Sequence, residues 1–259
     1  MEIELDLDKT IEKNATAYFE KSKLARKKVI GLKKAITITE KIAEKKIVTK
    51  KKEIRKIKWF ERFRWFFTSD GLLVVGGKTA QQNEEIVKKY MDKKDIYFHA
   101  EVYGAPHCVV KISESKLSTV PEESMKEAAQ FASTFSKAFE TGQSTADAYS
   151  VKPDQVSKRA PSGTSLGTGA FMIYGERNWF KKTTLSCAIG YLQKEKILMC
   201  GPLSAVKKKG IRVYELKFGT IEKNKTASAL QEKYKEKGLR FTNEDILSLL
   251  PNGKFEIIG

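Results

Sequence analysis

Apolar residues in the first part of the chain recur every seven positions, which is the spacing of a coiled-coil seam. Tyr18, Ala25 and Leu32 form one series, and Val29 and Ile36 belong to a second. Two interleaved series of this kind place a narrow apolar stripe along one side of a helix. The pattern therefore predicts a long helix that needs a second helix to cover its seam.

The pattern changes sharply after residue 57, where a run rich in aromatic residues begins. Apolar runs flank residues 69–71, Ser-Asp-Gly, and predict a hairpin, because these residue types favour tight turns. Thr79 suits the N-cap of a helix that extends to about residue 90. We therefore divide the chain into a basic coiled-coil helix, residues 1–57, and a folded domain, residues 58–259.

Later elements follow from apolar runs separated by Gly, Pro and polar residues. Helices and strands do not alternate regularly, so the sequence predicts an α+β fold with a mainly antiparallel sheet and packed helices, preceded by the coiled-coil helix. The expected strands cover residues 95–102, 107–112, 147–151, 169–175 and 211–219, with a hairpin at 185–201. The expected helices cover residues 121–140, 226–237 and 242–250.

The distribution of charge indicates an anionic partner. The chain carries 49 Lys and Arg against 32 Asp and Glu, a net charge of +17. Residues 21–58 alone hold 16 basic residues and three acidic ones, which places most of the surplus on the predicted helix. Nucleic acid is the first candidate partner and an acidic membrane surface the second. The alternative is a lysine-rich surface that only aids solubility.

Other features of the composition exclude several classes of protein. The three cysteines are scattered without paired spacing, which argues against a disulfide framework or a zinc site and favours the cytoplasm. No apolar run approaches the roughly 20 residues of a membrane span. The N-terminus is acidic and does not resemble a signal peptide. We expect no metal and no cofactor.

The junction between the first hairpin and the following helix is a candidate phosphate site. A strand, two glycines and a helix start can expose backbone N–H groups to an anion. The spacing matches neither the GxxxxGK[ST] nor the GxGxxG motif, so an ordinary strand-to-helix turn is the alternative. The candidate RNA-binding residues here are Gly76, Gly77, Lys78, Gln81, Gln82 and Asn83.

A long basic loop, residues 155–163, is the second candidate RNA contact. Lys and Arg pair with phosphates, and small polar residues let backbone amides approach. Its candidate residues are Gln155, Ser157, Lys158 and Arg159, to which we add Arg177. Stacking on unpaired bases is a role for Tyr97, Tyr103, Tyr174 or Trp179, and core packing is the alternative for these rings.

The two histidines offer the only candidate for acid–base chemistry. His99 lies in an alternating strand pattern and is either a structural side chain, an RNA contact or a general base. No Ser–His–Asp, Cys–His or paired-carboxylate arrangement has support in the sequence. We therefore expect a non-catalytic protein, with an RNA-acting enzyme that uses His99 as the alternative.

Several stretches together resemble the NFACT-R domain, found in the C-terminal portion of the nuclear export mediator factor and RqcH family of ribosome quality control. They include "GLLVVGGKTAQQNEE" and "DIYFHAEVYGAPHCVVK" and occur in the family's order, and the archaeal form is the most similar. The resemblance covers about residues 8–259, and the first of these residues resemble the family's second coiled-coil helix. Two departures are Tyr103, where the family often has His, and Lys78-Thr79, where it often has Arg-Asp.

The resemblance implies a module that binds tRNA or the large ribosomal subunit obstructed by nascent chain. In several lineages the family also adds an untemplated C-terminal tail to the stalled peptide. Its NFACT-N domain and first coiled-coil helix have no counterpart in this sequence. We therefore expect a separate chain or a missing segment to supply them, and the alternative function is that of a scaffold half of a split protein.

Overall fold

The structure, a computed structural model, describes residues 4–48, 56–160 and 165–258, and the side chains of residues 38 and 40–48 are not part of that description. Contacts between residues divide the chain into two compact units, Met1–Ile57 and Lys58–Gly259. Part of the predicted RNA-binding loop, residues 161–164, lies outside the described residues.

The second unit contains twelve strands and six of the seven helices described. The strands are β1 (Arg64–Phe67), β2 (Leu73–Gly76), β3 (Ile96–Ala100), β4 (Cys108–Lys111), β5 (Thr145–Val151), β6 (Val156–Ser157), β7 (Met172–Ile173), β8 (Asn178–Thr184), β9 (Cys187–Leu192), β10 (Ile197–Gly201), β11 (Ile211–Glu222) and β12 (Lys254–Ile258). The helices of the whole chain are α1 (Ile11–Val48), α2 (Ala80–Glu85), α3 (Glu122–Thr134), α4 (Lys137–Glu140), α5 (Leu203–Lys209), α6 (Lys223–Glu236) and α7 (Asn243–Leu247).

The first unit is dominated by α1, a continuous helix of 38 residues that confirms the predicted long helix. Asn14, on its first turns, anchors the preceding segment: its side-chain amide donates to the Asp6 carbonyl at 2.9 Å and its Oδ1 accepts from the Asp6 N–H at 3.0 Å. The five seam residues named from the sequence all lie exposed on this helix. Leu32 is 63% exposed and Ile36 is 55% exposed, so within unit 1 the seam has no cover.

A six-stranded antiparallel sheet in the order β1-β2-β4-β3-β5-β8 forms the first layer of the second unit. The predicted hairpin is confirmed: β1 pairs with β2, and Arg64 lies directly opposite Gly76. Its turn is tied to α3 because the buried carboxylate of Glu127 accepts from the Ser69 N–H at 2.8 Å and from the Ser204 hydroxyl of α5 at 2.6 Å.

A buried ion pair joins β3 to β4 in the same sheet. Lys111 is 2% exposed, and its ammonium contacts the carboxylates of Asp92, at 2.7 Å, and of Asp95, which is fully buried. Asp95 also accepts from the Ser113 N–H at 3.1 Å. Each buried charge is therefore matched by an opposite charge and by hydrogen bonds, the condition for placing ions in a core.

The helix expected at residues 121–140 is broken into α3 and α4, which corrects that prediction. Ser136 adopts an extended conformation, and its hydroxyl accepts from the Ala138 N–H at 3.2 Å. The serine therefore acts as the N-cap of a second short helix. The apolar stripe is still core, because Ala128, Ala132 and Phe139 are fully buried.

The second sheet has four antiparallel strands in the order β10-β9-β11-β12, and α5 and α6 contact it. The predicted hairpin at residues 185–201 is confirmed as β9 and β10. The strand expected at residues 169–175 shrinks to β7, which pairs only with β6. Together the three antiparallel sheets and packed helices confirm the α+β class.

Four elements gave too weak a pattern for the sequence to predict them: β6, β8, α5 and β12. β8 is an edge strand and most of its residues are exposed, so it lacks a buried face that would create alternation. It also carries a bulge, where the Lys182 N–H donates to Asp147 Oδ1 at 2.8 Å. A bulge shifts which residues face the core, which further obscures the period.

Candidate nucleic-acid interface

A cleft of about 680 Å³ opens where the start of α2 faces the loop before β4 and the segment before β7. Its lining is cationic and aromatic, and none of the described side chains that line it carries a carboxylate. The charged lining residues are Arg64, Lys78 and Arg177; the aromatic and imidazole ones are Tyr97, His99, Tyr103, His107, Phe135, Tyr149 and Phe171. This combination suits phosphates and bases.

Gly77 and Asn83 form the floor of the cleft on the side of α2. The Asn83 Oδ1 accepts from the His107 N–H at 3.1 Å, which joins α2 to the loop before β4. A Cβ at Gly77 would run into this Asn83 side chain. The glycine is therefore needed here for a close approach of two chain segments.

The backbone amides of the glycine junction are partly occupied within the protein. The Lys78 N–H donates to Gln82 Oε1 at 3.0 Å, and the Gln82 N–H donates to Thr79 Oγ1 at 3.2 Å. Thr79 is the N-cap, as expected, but α2 has only six residues before a π-helical turn. Phosphate binding by these amides therefore stays a prediction. Of the predicted side chains here, Gln81 is exposed and Lys78 is half-buried.

The histidines occupy the centre of the cleft with Tyr97. The Tyr97 hydroxyl lies 2.7 Å from His107 Nδ1, and His99 Nδ1 lies 3.1 Å from the Pro106 carbonyl oxygen. Burial, followed by repulsion from His99 and Lys158, lowers the pKa of His107 to about 3. Burial also lowers the pKa of His99. Both rings are therefore neutral at pH 7, and Tyr97, only 1% exposed, is a core residue and not an open stacking platform.

Lys158 is an anchor within the protein. Its ammonium contacts Glu84 Oε2 at 3.0 Å and the carbonyl oxygens of Gly167 and Ala170 at 2.8 and 3.1 Å. The Gly169 N–H donates to the same Glu84 oxygen at 2.9 Å. These contacts attach the segment before β7 to α2 and so fix one wall of the cleft.

Two other loop residues predicted to contact RNA are also used internally. Gln155 donates to the carbonyl oxygens of Tyr174 and Glu176, both at 2.8 Å, and accepts from the Lys152 N–H at 2.9 Å. Ser157 Oγ accepts from the Arg159 N–H at 3.0 Å. The Arg159 side chain is exposed, so among residues 155–160, the described part of this loop, it is the group that remains open to a phosphate.

Arg177 lies at the opposite wall of the cleft, held between rings. Its guanidinium carbon lies 4.6 Å from the Tyr149 ring centre and 5.6 Å from that of Trp179, and one nitrogen contacts Glu101 at 3.2 Å. A guanidinium held over aromatic rings presents a flat cationic surface. Of the predicted site residues, the structure therefore brings Gly77, Lys78, Asn83, His99 and Arg177 to one cleft.

Sequence reasoning missed Arg64, the other cationic residue of the lining. Arg64 lies within an apolar strand, so the sequence around it was typical of a buried core and not of a binding site. An arginine inside a run of aromatic residues, predicted to pair opposite a glycine, was the available signal.

Two classes of site receive no support from the described residues. They contain no group of three or more His, Cys, Asp or Glu side chains placed to hold a metal ion. Among the helices described, none is long and apolar enough to cross a membrane.

Comparisons with known proteins find a matching family and several relatives. Residues 62–175 match the family described as NFACT protein RNA binding domain. The archaeal Rqc2 homologue aRqcH of Methanocaldococcus jannaschii is 41% identical over 192 residues, which are 73% of this chain and 28% of that protein. The human ribosome quality control complex subunit NEMF is 39% identical over 127 residues, which are 49% of this chain and 12% of that protein.

A solved structure, the C-terminal part of the fibronectin/fibrinogen-binding protein from Streptococcus suis, is more remote. It has 22% identity and a TM-score of 0.40, and the match covers 68% of this chain and 77% of that one. The match with the family of RNA-binding domains spans most of the cleft lining, from Arg64 to Ile173, and leaves out Arg177. Residues 62–175 of the chain belong to the NFACT RNA binding domain family, and the relatives of the chain include archaeal RqcH and human NEMF.

Proposed function

We propose that this chain binds RNA as a non-catalytic module of a ribosome quality control factor. The observation that carries the proposal is the cleft lining, which has three cationic side chains, several aromatic rings and, among described residues, no carboxylate. RNA presents phosphates to such cations and unpaired bases to such rings. The membership of residues 62–175 in a family of RNA-binding domains supports the same conclusion.

The proposed RNA is tRNA, the RNA of the large ribosomal subunit, or both, on subunits obstructed by nascent chain. The support is that the relatives are named for ribosome quality control. The chain spans 28% of the archaeal relative and 12% of the human one, so the partner is assigned by proposal. A place of action in the cytoplasm belongs to the same proposal.

The basic helix extends the proposed RNA contact beyond the cleft. Lysines at 21, 23, 27, 28, 33 and 34 and Arg26 are exposed on α1. Such a row of charges attracts a phosphate backbone without reading its sequence, whereas the cleft gives orientation. We therefore assign affinity mainly to the helix and positioning to the second unit.

A salt titration of tRNA binding tests this electrostatic account. The logarithm of the binding constant should fall linearly with the logarithm of salt concentration, because counterions are released on binding. Replacing Lys27, Lys28, Lys33 and Lys34 with Gln should reduce that slope by roughly one per lost phosphate contact. Binding that is unchanged from low to high salt would reject the proposal.

The seam of α1 favours a second role, that of an assembly surface. Tyr18, Val29, Leu32 and Ile36 are 40–63% exposed on one side of a basic helix. We propose that a second helix covers them, contributed by the first coiled-coil helix and NFACT-N region, which a separate chain or a missing segment supplies. Sedimentation of the chain with such a helix added tests this assignment. A chain that stays a helical monomer and does not bind the added helix would reject it.

An RNA-acting enzyme has less support. Nδ1 of His99 faces a carbonyl oxygen, and the cleft offers it no carboxylate partner among the described lining residues. A general base normally needs a neighbour that orients it. His99 therefore enters the proposal as an RNA contact.

A further inference from the structure

Two imidazole rings lie next to each other in the centre of the cleft. The ring centres of His99, on β3, and His107, just before β4, are 4.7 Å apart, and both rings line the cleft. Asn83 already uses the backbone N–H of His107, and Tyr97 uses its Nδ1. The Nδ1 of His99 is in turn used by the Pro106 carbonyl oxygen. The nitrogen that each ring has left for a ligand is therefore Nε2.

The hydrogen bond of His99 determines which of its nitrogens carries the proton. Its Nδ1 lies 3.1 Å from the Pro106 carbonyl oxygen, and because a carbonyl oxygen can only accept, Nδ1 carries the hydrogen. Burial lowers the pKa of His99, so the ring is neutral and has a single N–H. The Nε2 of His99 therefore has a free lone pair and accepts hydrogen bonds.

Tyr97 determines the opposite arrangement in His107. Its hydroxyl lies 2.7 Å from His107 Nδ1 and has no other hydrogen-bond partner in the described part of the chain. Tyr97 is only 1% exposed, so a hydroxyl proton that did not point to Nδ1 would be buried without an acceptor, which is unfavourable. The hydroxyl therefore donates to Nδ1. The neutral His107 ring then carries its own proton on Nε2, which is a donor.

The cleft thus presents an acceptor and a donor side by side. Residues within the described ranges make no hydrogen bond to either Nε2. Because both rings line an open cleft, the two nitrogens are placed to contact a molecule inside it. An unpaired nucleobase carries a donor next to an acceptor on its Watson–Crick edge, and this edge is complementary to the pair of nitrogens.

Aromatic rings beside the imidazoles suit the flat faces of a base. The ring centre of Phe171 is 5.4 Å from that of His107, and the ring centre of Tyr149 is 6.1 Å from that of His99. The cleft volume of about 680 Å³ lies in the range of pockets that hold one small ligand. A base within a duplex cannot bind in this way, because its Watson–Crick edge is paired and its faces are stacked.

We propose that the cleft binds one unpaired nucleobase, whose edge donates to His99 Nε2 and accepts from the Nε2–H of His107. Stacking against the neighbouring rings adds affinity, and Arg64 and Lys78, which also line the cleft, attract the attached phosphate. Tyr97 is a positioning residue, because it determines which nitrogen of His107 donates. The inference rests on the proposed function and narrows it to single-stranded RNA.

Imidazole ¹⁵N NMR tests the pair directly, because the chain has only two histidines. At pH 7, His99 should carry its proton on Nδ1 and His107 on Nε2. AMP, CMP, GMP and UMP are added separately, and at least one of them should shift the Nε2 resonances of both rings. Ribose 5-phosphate lacks the base and should leave these resonances in place. The same tautomer in both rings, no shift with any nucleotide, or equal shifts with ribose 5-phosphate would overturn the pocket.

His99→Phe keeps an aromatic ring and removes the acceptor. It should weaken the best-binding nucleotide about two- to tenfold, the loss expected for one hydrogen bond, and leave ribose 5-phosphate binding unchanged. Gln193→Leu removes a hydrogen-bonding side chain from the exposed turn between β9 and β10 and should bind the nucleotide as wild type does. Unchanged nucleotide binding, or equal losses of both ligands, in His99→Phe would overturn the base contact.

Tyr97→Phe keeps both histidines and provides an independent measurement. Without the hydroxyl, His107 should show both tautomers in its ¹⁵N spectrum and bind the nucleotide more weakly than in wild type. A spectrum and an affinity that are both unchanged would overturn the positioning role of Tyr97.

Comparison of single-stranded and duplex RNA of equal length separates this inference from the proposed function. Preference for the single strand, with shifts of both imidazoles, supports the base pocket. Equal binding of both RNAs without imidazole shifts overturns the pocket and leaves the proposed function intact. Imidazole shifts with nucleotides in a chain that binds neither RNA support the pocket while rejecting the proposed function.

Discussion

The ammonium of Lys158 lies 3.0 Å from Oε2 of Glu84, and this ion pair joins the segment before β7 to α2. The same carboxylate contacts Lys88 at 2.6 Å and accepts from the Gly169 N–H. These three hydrogen bonds, with that of Lys88 the strongest contribution, lower the pKa of Glu84 to about 2. Lys158, one of the residues that the sequence predicted to contact RNA, thus supports a wall of the cleft.

Glu84→Gln tests whether Lys158 supports the wall of the cleft or contacts an RNA phosphate directly. If the ion pair holds the wall, this variant should weaken RNA binding about two- to fivefold, although it makes the protein more positive. Fluorescence anisotropy with tRNA measures the change. Glu122→Gln, an exposed change of equal charge on α3, should bind RNA as wild type or slightly tighter, and tighter binding by Glu84→Gln would contradict the wall.

Acid should begin to destabilise the domain at pH values well above the usual pKa of carboxyl groups. In the unfolded chain a histidine takes up a proton below about pH 6.5. Folded His107, with its pKa lowered to about 3 by burial, stays neutral there. Unfolding then takes up a proton, so stability falls as pH falls, by about 2 kcal/mol between pH 7 and pH 5 from His107 alone.

Urea unfolding at several pH values measures this loss. His107→Gln should have lower stability at pH 7, because its contact with Tyr97 is altered, but a flatter dependence on pH. The chain has only two histidines, so His99→Gln separates the remaining contribution. A pH slope identical in wild type and His107→Gln would exclude the buried histidine as its cause.

Gly77→Ala should cost about 1–3 kcal/mol of unfolding free energy, the range for overpacking. The added methyl group would meet the Asn83 side chain, which receives the His107 N–H. In an Asn83→Ala background the same substitution should cost at least about 0.5 kcal/mol less, because the two colliding side-chain atoms, Oδ1 and Cγ, are gone and only the contact with the backbone N–H of residue 83 remains. Gly167→Ala is the matched control, since nothing lies within 4 Å of its added Cβ; strictly additive costs would argue against the collision.

Lys111→Met should destabilise the domain by about 3–5 kcal/mol, because it leaves the fully buried Asp95 carboxylate without its cation. Adding Asp95→Asn to Lys111→Met should recover part of that loss, since the uncompensated charge disappears. Thermal unfolding of the single and double variants measures both effects. Lys116→Met, at an exposed position of the following loop, should change little, and a double variant less stable than Lys111→Met would contradict the charge argument.

Local patterns determined most of the elements and their class. The seven-residue spacing of apolar positions is sufficient to predict α1. Alternating apolar runs around turn residues are sufficient to predict both hairpins, because each signal lies within one short stretch. Ser136 shows the limit, since a single N-cap side chain divided a continuous apolar stripe into two helices. The exposed edge strand β8 lacked any such signal.

The sequence by itself determined an α+β RNA-binding family member with a basic helix, because composition, period and motif order are properties of the chain read in one direction. Only the tertiary structure decided which cations are open to a ligand. Lys158, on a basic loop, pairs with a carboxylate 74 positions earlier, whereas Arg64, inside an apolar strand, has no carboxylate partner among the residues that the structure describes. Whether a charged side chain can bind a ligand depends on which residues lie beside it in space. Strand pairing and packing between residues far apart in the sequence determine those neighbours.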